Sequence, residues 1–170
     1  MPKFKDIPQK CYYSLVNSVY SLPTFIEEID TYIKHNNLIL TPDFQRGHVW
    51  NENQQIDFIE NLLQGGARHA RGILLNVPHQ YVEYKECVLV DGLQRYTSIL
   101  KFVNNELKCF NQYCNEFNDR PNRADVFMTI AINTLTTKKE VLEWYLSLND
   151  TGVHHTLEEL NRVKMLLQQC

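Results

Sequence analysis

The sequence predicts a compact α+β domain, with a small mixed sheet of about four or five strands and about five helices packed around it. The order of the elements also allows an α/β arrangement. A chain of 170 residues with 44% hydrophobic and 22% charged residues suits one globular domain with a substantial core. Segments with a helical period also intermix with short apolar runs that end at turn residues. We therefore expect residues 1–170 to form a single domain.

Five segments repeat apolar residues at the period of a helix, and most begin with a capping residue. Thr24 with Glu27, and Thr156 with Glu159, have the spacing of a capping box. Asn51 is placed to cap the second segment. The predicted helices span residues 24–35, 51–63, 92–103, 136–148 and from 156 to near the C-terminus.

The predicted strands are short apolar or alternating runs between turn residues. They span residues 38–40, 73–77, 87–90 and 126–132, with 81–84 as the hairpin partner of 87–90. Residues 1–20 fit either a strand or an N-terminal docking arm, and both alternatives stay open. Residues 111–123 are rich in Asn, Asp and Pro, which predicts a surface loop.

Composition and charge disfavour several classes of protein. A net charge of −3 does not favour nucleic-acid binding through bulk electrostatics. The N-terminus lacks the apolar core of a signal peptide, and no stretch has the roughly 20 apolar residues of a membrane span. Five scattered cysteines suit a reducing compartment better than a disulfide framework. These features predict a cytoplasmic protein with no membrane partner.

The most informative stretch runs from Val88 to Tyr96, where an apolar strand ends in Asp-Gly and a helical pattern begins at once. A helix start has unpaired N–H groups and the positive end of the helix dipole, and Gly92 lets a ligand approach the backbone. Arg95 adds a planar donor group suited to phosphate. Asp91 has three candidate roles: capping the helix, holding a Mg²⁺-bound water, or orienting Arg95. The simplest alternative is that Asp91 and Arg95 only pair with each other.

Two further segments carry candidate site residues. Gln45 and Arg46 lie in a turn-rich segment beside apolar residues, which indicates an anchored loop with polar side chains displayed. There Gln45 is suited to position water or contact a base, Arg46 to reach a second phosphate, and His48 to act as an acid or base. Asn149 and Gly152 are expected to shape the loop before the last helix.

Three motifs occur in a characteristic order. The first is Pro42-Asp43-Phe44-Gln45-Arg46 with Val49-Trp50, the second is Val90-Asp91-Gly92-Leu93-Gln94-Arg95, and the third is Leu148-Asn149-x-x-Gly152 with Glu159. Over residues 24–168 the chain resembles the N-terminal domain of GmrSD-type (DGQQR-motif) restriction and phage-defence proteins, a family similar in fold to the ParB/sulfiredoxin group. In this sequence Leu93 stands where the family has its first Gln, which removes a polar group from the helix start, and His155 stands where the family usually has Leu.

The resemblance implies a nucleotide-binding domain that hydrolyses an NTP with Mg²⁺. Carried over to matching positions, it implies a catalytic set of Asp91, Gln94, Arg95 and Gln45. It implies nucleotide or phosphate contacts from Arg46, Gly92, Arg95, Asn149 and Gly152. No metal ligand is assigned, although Asp91 is a candidate. Larger family members carry a C-terminal HNH-type nuclease domain. The sequence ends at Cys170 without such a segment, so we expect a stand-alone domain or one part of an assembly.

Three functions compete at this point. The first is an NTP-binding and NTP-hydrolysing domain in restriction or phage defence. The second is a ParB-like nuclease in which Asp43, Asp91 and Asp150 hold a metal ion. The third is a non-catalytic interaction module, such as a phage counter-defence protein, favoured by Leu93 and the acidic net charge. The partners implied are a nucleotide, and DNA or a partner defence or nuclease protein.

Overall fold

A computed structural model describes residues 13–66, 70–79, 82–118, 126–149 and 157–170. These residues form four strands and five α-helices, which confirms the predicted α+β class. The strands are β1 Tyr13–Tyr20, β2 Gly72–Asn76, β3 Val88–Asp91 and β4 Met128–Asn133. The helices are α1 Leu22–Asn36, α2 Glu52–Leu63, α3 Leu93–Val103, α4 Lys138–Asn149 and α5 Leu157–Leu167.

The strands form one mixed sheet in the order β1-β4-β2-β3. Strand β4 is antiparallel to β1 and parallel to β2, and β3 is antiparallel to β2. At the outer side of β3, Ile39 makes a single parallel bridge to Val88. This bridge is closed by hydrogen bonds from Ile39 N to Cys87 O and from Leu89 N to Ile39 O. Both sides of β3 are therefore paired.

Strand β3 is buried on both faces because apolar layers cover each side of it. Leu89 belongs to a large core cluster with residues of α1, α2 and α3. Val88 and Val90 point the other way, into a smaller cluster with residues of α4 and α5. All three side chains are at most 1% exposed, so the apolar run in the sequence reflects burial on two faces. This double packing fixes the position of the turn that follows β3.

Helix boundaries depend on local signals, and the sequence predicted these with mixed success. Asn51 caps α2 as predicted, and its side chain accepts a hydrogen bond from Gln54 N in a complete capping box. The predicted capping box of Thr24 and Glu27 is wrong. Helix α1 begins at Leu22, and the hydroxyl of Thr24 pairs with that of Ser21 at 2.8 Å. Pro23 in the first turn explains the earlier start, because its fixed φ suits that position.

Two predicted strands are absent from the described residues. Residues 38–40 make only the bridge at Ile39, because the left-handed Asn37 and then Pro42 redirect the chain on either side. Residues 82–84 are not a strand, so the hairpin predicted for 81–84 is wrong. Since β2 and Ile39 occupy the two edges of β3, no edge remains for a hairpin partner.

The termini and the long loop are described only in part. The strand alternative for residues 1–20 is confirmed over residues 13–20, which form β1, while residues 1–12 lie outside the described chain. The described part of the predicted loop 111–123 contains a single bridge from Gln112 to Cys109 and a short 3₁₀ turn, Cys114–Glu116. In the part of the chain that the structure describes, no helix is long and apolar enough to cross a membrane.

Candidate functional site

The second motif forms the predicted strand–turn–helix. Asp91 ends β3, Gly92 turns the chain with φ +107°, and α3 begins at Leu93. A Cβ on Gly92 would overlap Cγ2 of Ile73 in β2 and would lie 2.8 Å from Cβ of the same residue. Glycine is therefore required here by the left-handed backbone and by packing against β2. The sequence predicted that Gly92 would let a ligand approach the backbone closely. In the structure, the side chain of Ile73 makes this close approach.

Asp91 and Arg95 form an ion pair one helical turn apart, with Nη2 and Oδ2 separated by 2.5 Å. The Arg95 side chain is only 18% exposed, whereas that of Asp91 is 52% exposed. Nε of Arg95 is buried and donates to no acceptor in the described part of the chain. Asp91 does not cap α3, because Gly92 occupies the N-cap position without a side-chain bond. Of the roles predicted for Asp91, capping is wrong, and the ion pair fits both orientation of Arg95 and a simple pair of opposite charges.

Gln94 connects the second motif to the first. Its Oε1 accepts hydrogen bonds from the backbone N–H groups of Val49 and Trp50, both at 3.0 Å. Its Nε2 donates to the carbonyl oxygen of Gly47 at 3.2 Å. One amide therefore makes three bonds to the loop formed by residues 42–50, which we call the motif loop.

Gln45 fixes the other end of the motif loop. Its amide faces the carbonyl oxygens of Leu89 and Leu40, at 3.0 and 3.1 Å. Since both groups are acceptors, the amide nitrogen faces them and donates to each. Gln45 thus ties the loop to β3 and to the segment that runs along its outer side.

Arg46 lies between these two attachments. On one side of Arg46, the side chain of Gln45 is hydrogen-bonded to β3; on the other side, the carbonyl oxygen of Gly47 is hydrogen-bonded to Gln94. Adjacent Cα atoms are about 3.8 Å apart, so Arg46 is close to both attachments. The backbone of Arg46 therefore lies between one attachment to β3 and one to α3, the helix that carries Arg95.

The motif loop also contacts the opposite layer. Asp43 forms an ion pair with Nζ of Lys138, the first residue of α4, at 2.6 Å. The ring of Phe44 packs edge-on against Tyr145 of the same helix, with ring centroids 5.2 Å apart. Lys138 is a basic residue near the site that sequence reasoning missed, and its distance of 95 residues along the chain from Asp43 left no local signal.

Leu93 is a core residue. It is 6% exposed and belongs to the large core cluster, with Tyr96 and Ile99 on the same side of α3. A side chain at this position points into the core and not towards the exposed side of the helix start. The expectation that Leu93 removes a polar group from the anion site is therefore not supported by its placement. Both tryptophans pack against apolar neighbours: Trp144 is 1% exposed in the smaller core cluster, and the ring centroids of Trp50 and Phe58 are 5.5 Å apart.

The remaining predicted site residues are only partly described. Asn149 ends α4, and the position of its side chain is not described. Gly152 and Asp150 lie outside the described residues, as does His155, the second departure from the family pattern. The predicted capping box also falls partly there, because Thr156 is outside and the side chain of Glu159 is not described.

The titration of His48 is affected by its surroundings. Partial burial and then the nearby Lys101 lower the pKa of His48, which favours the neutral imidazole at neutral pH. Among the described residues, no group of three or more His, Cys, Asp or Glu side chains is placed to hold a metal ion. Asp43 and Asp91 instead pair with different cations, Lys138 and Arg95.

These features define an α+β domain with two arginine-bearing motifs joined at the end of one strand. The chain belongs to the family of the GmrSD restriction endonuclease N-terminal domain, whose model matches residues 26–126. This match contains the first and second motifs and ends before the third. No curated protein and no solved structure matches the chain. The ParB/sulfiredoxin-like fold therefore stays a prediction.

Proposed function

We propose that this restriction-related domain binds a nucleoside triphosphate at the β3–α3 turn. The observation that carries the proposal is the burial of the Arg95 side chain together with its hydrogen bonding. Its guanidinium is largely buried, is paired with Asp91, and keeps a buried Nε without an acceptor in the described part of the chain. A guanidinium held in one orientation at a helix start suits a phosphate oxygen, because charge and donor geometry both match.

Arg46 supports a phosphate chain rather than a single anion. The motif loop holds the backbone of Arg46 between its attachments to β3 and α3, so we place a second cation of the site at this position. Asn149 and Gly152 stay in the proposal as contacts from the third motif. The family match supports the same assignment, since it spans both arginine-bearing motifs.

We extend the proposal to hydrolysis of the bound NTP. Of the predicted catalytic set, Asp91 and Arg95 would act at the phosphates, while Gln94 and Gln45 would hold the site in place. Mg²⁺ bound with the nucleotide would neutralise charge on the β- and γ-phosphates. Asp91 is the candidate carboxylate for a water of that ion, because half of its side chain is exposed. Arg95 would stabilise charge on the transferred phosphoryl group.

A second candidate is a binding module in restriction or phage defence that contacts DNA or a partner protein without hydrolysing the nucleotide. It is favoured by the hydrogen bonds of the two glutamines. Gln45 and Gln94 both engage backbone groups of the fold, whereas a catalytic glutamine would orient water or substrate.

Calorimetric titration of the full chain with the four common NTPs and Mg²⁺ tests the proposal, with phosphate release measured in parallel. We expect binding of at least one NTP, weakened about tenfold to a hundredfold in Arg95→Ala, because a bond between charged groups contributes roughly 1.5–3 kcal/mol. Arg162→Ala, at an exposed position on α5, is the matched control and should bind like wild type. A folded wild-type protein that binds none of the four refutes the proposal. Binding without phosphate release selects the second candidate.

A further inference from the structure

We infer that Gln45 and Gln94 are positioning residues, which clamp the motif loop so that Arg46 and Arg95 face the same phosphate chain. The inference rests on the proposed nucleotide site and assigns these two residues a role in forming it. It differs from the catalytic role that the family resemblance implies for them.

The first step is the number of bonds that each amide makes. Gln94 uses both ends of its amide, accepting two N–H groups and donating to one carbonyl of the motif loop. Gln45 donates to two carbonyls, on Leu89 and Leu40. A glutamine that positions water for attack needs an amide atom directed at the ligand. These contacts direct both amide atoms of Gln94, and the amide nitrogen of Gln45, at the backbone.

The second step is where the contacts fall. The hydrogen bonds involve the side chain of Gln45 before Arg46, and backbone groups of the segment from Gly47 to Trp50 after it. The loop is therefore held on both sides of Arg46. Gln94 is also adjacent to Arg95 in α3, and its own carbonyl accepts a hydrogen bond from Ser98 Oγ at 2.7 Å. One residue thus joins the helix start to the loop that carries the second arginine. Preformed spacing between two cations lowers the ordering cost of binding a phosphate chain.

The third step is that residues 47–49 of the motif loop are exposed and pack against few other side chains. Val49 is 53% exposed, and Gly47 and His48 are also exposed. The ring of Trp50 packs on Phe58 and anchors the far end. The bonds from Gln94 are therefore the main described contacts that hold residues 47–49 against α3.

The test uses isosteric replacements and two readouts of the loop that are independent of nucleotide. Gln94→Met and Gln45→Met keep side-chain size and remove the hydrogen bonds. Each should increase the rate of trypsin cleavage between Arg46 and Gly47 at least tenfold, as identified by mass spectrometry. In a Trp144→Phe background, Gln94→Met should shift the emission of Trp50 to longer wavelength. Both Met variants should also raise the nucleotide Kd about tenfold, while Gln112→Met, at an exposed position between α3 and β4, changes none of these readouts.

Glutamate variants separate clamping from catalysis. Gln94→Glu keeps an acceptor for the N–H groups of Val49 and Trp50 but puts its other carboxylate oxygen against the carbonyl oxygen of Gly47, so cleavage should rise less than in Gln94→Met. Gln45→Glu puts a carboxylate against two carbonyl oxygens, so cleavage should rise at least tenfold. A catalytic pair would instead lose turnover in both variants with the loop unchanged. Unchanged cleavage and emission in the Met variants overturn the inference. Wild-type protein that binds no nucleotide, together with an altered loop in the variants, overturns the proposed function and leaves the clamp confirmed.

Discussion

Replacing Gly92 by alanine should destabilise the domain by about 2–5 kcal/mol, for two separable reasons. The first is the backbone: φ is +107°, and a left-handed conformation costs an L-residue roughly 1–2 kcal/mol. The second is packing: the new methyl group would overlap Cγ2 of Ile73 and would lie 2.8 Å from its Cβ. Overpacking of this kind typically costs about 1–3 kcal/mol. Urea unfolding measures the sum, and thermal unfolding should show a loss of roughly 4–20 °C, at about 2–4 °C per kcal/mol for this size.

Two other glycines separate these contributions. Gly65 has φ +81° with nothing within 4 Å of its Cβ position, so Gly65→Ala should show only the backbone cost of roughly 1–2 kcal/mol. Gly47 also has open space, and its φ lies outside the left-handed region, so Gly47→Ala should stay within about 0.5 kcal/mol of wild type. If Gly92→Ala costs no more than Gly65→Ala, the close packing of the turn against Ile73 is refuted.

Three other perturbations have defined outcomes. Asn51→Ala removes the capping box of α2 and should lower the free energy of unfolding by about 1 kcal/mol in urea titrations. Burial raises the pKa of Glu140, but hydrogen bonds from the hydroxyls and N–H groups of two threonines outweigh it and lower the pKa overall. This stabilisation is present above the unfolded-state pKa and is lost as pH falls through the lower folded-state value, so below about pH 4.5 Glu140→Gln should flatten the loss of stability measured by urea unfolding. Burial raises the pKa of Cys87 to about 11, and burial and then Glu60 raise that of Cys109 to about 12. At pH 8 iodoacetamide should therefore label the exposed Cys170 before the buried Cys87 and Cys109, with the sites identified by mass spectrometry; rapid labelling of the two buried thiols would contradict the packing.

The parts of the fold that sequence predicted well are those set by neighbouring residues. Asn51 caps α2 through Gln54, and Asn37 ends α1 in the left-handed conformation. The pair of Asp91 and Arg95 is also local, since the two residues are only four apart across the β3–α3 turn. In each case the chain carries both partners within one helical turn.

The strand errors have the opposite cause. Residues 81–84 suggested a hairpin partner because they precede β3 closely and contain alternating apolar residues. The actual partners of β3 are β2 and Ile39, at sequence separations that a local pattern does not encode. Competition for a strand edge is a tertiary property, so the pattern alone could not exclude the hairpin.

The sequence predicted which residues belong to the candidate site but not which groups they contact. The identities of Gln45 and Gln94 indicated a functional pair, whereas most of their contacts are with backbone groups 44 to 47 residues away and depend on how the motif loop crosses α3 and β3. The inward direction of Leu93 was readable, because it precedes Tyr96 by three residues on the apolar side of α3. The resemblance indicated a lost side-chain amide at position 93, whereas the helical period indicated a core residue.

The measurement that tests the central claim most directly is the affinity of the full chain for one nucleotide as its tri-, di- and monophosphate, by calorimetry with Mg²⁺. If Arg95 and Arg46 hold a phosphate chain, the Kd should rise at least tenfold on loss of the terminal phosphates. Arg95→Ala should reduce that difference. Equal affinity for the three forms, or no binding by folded protein, would contradict a phosphate site at the end of β3.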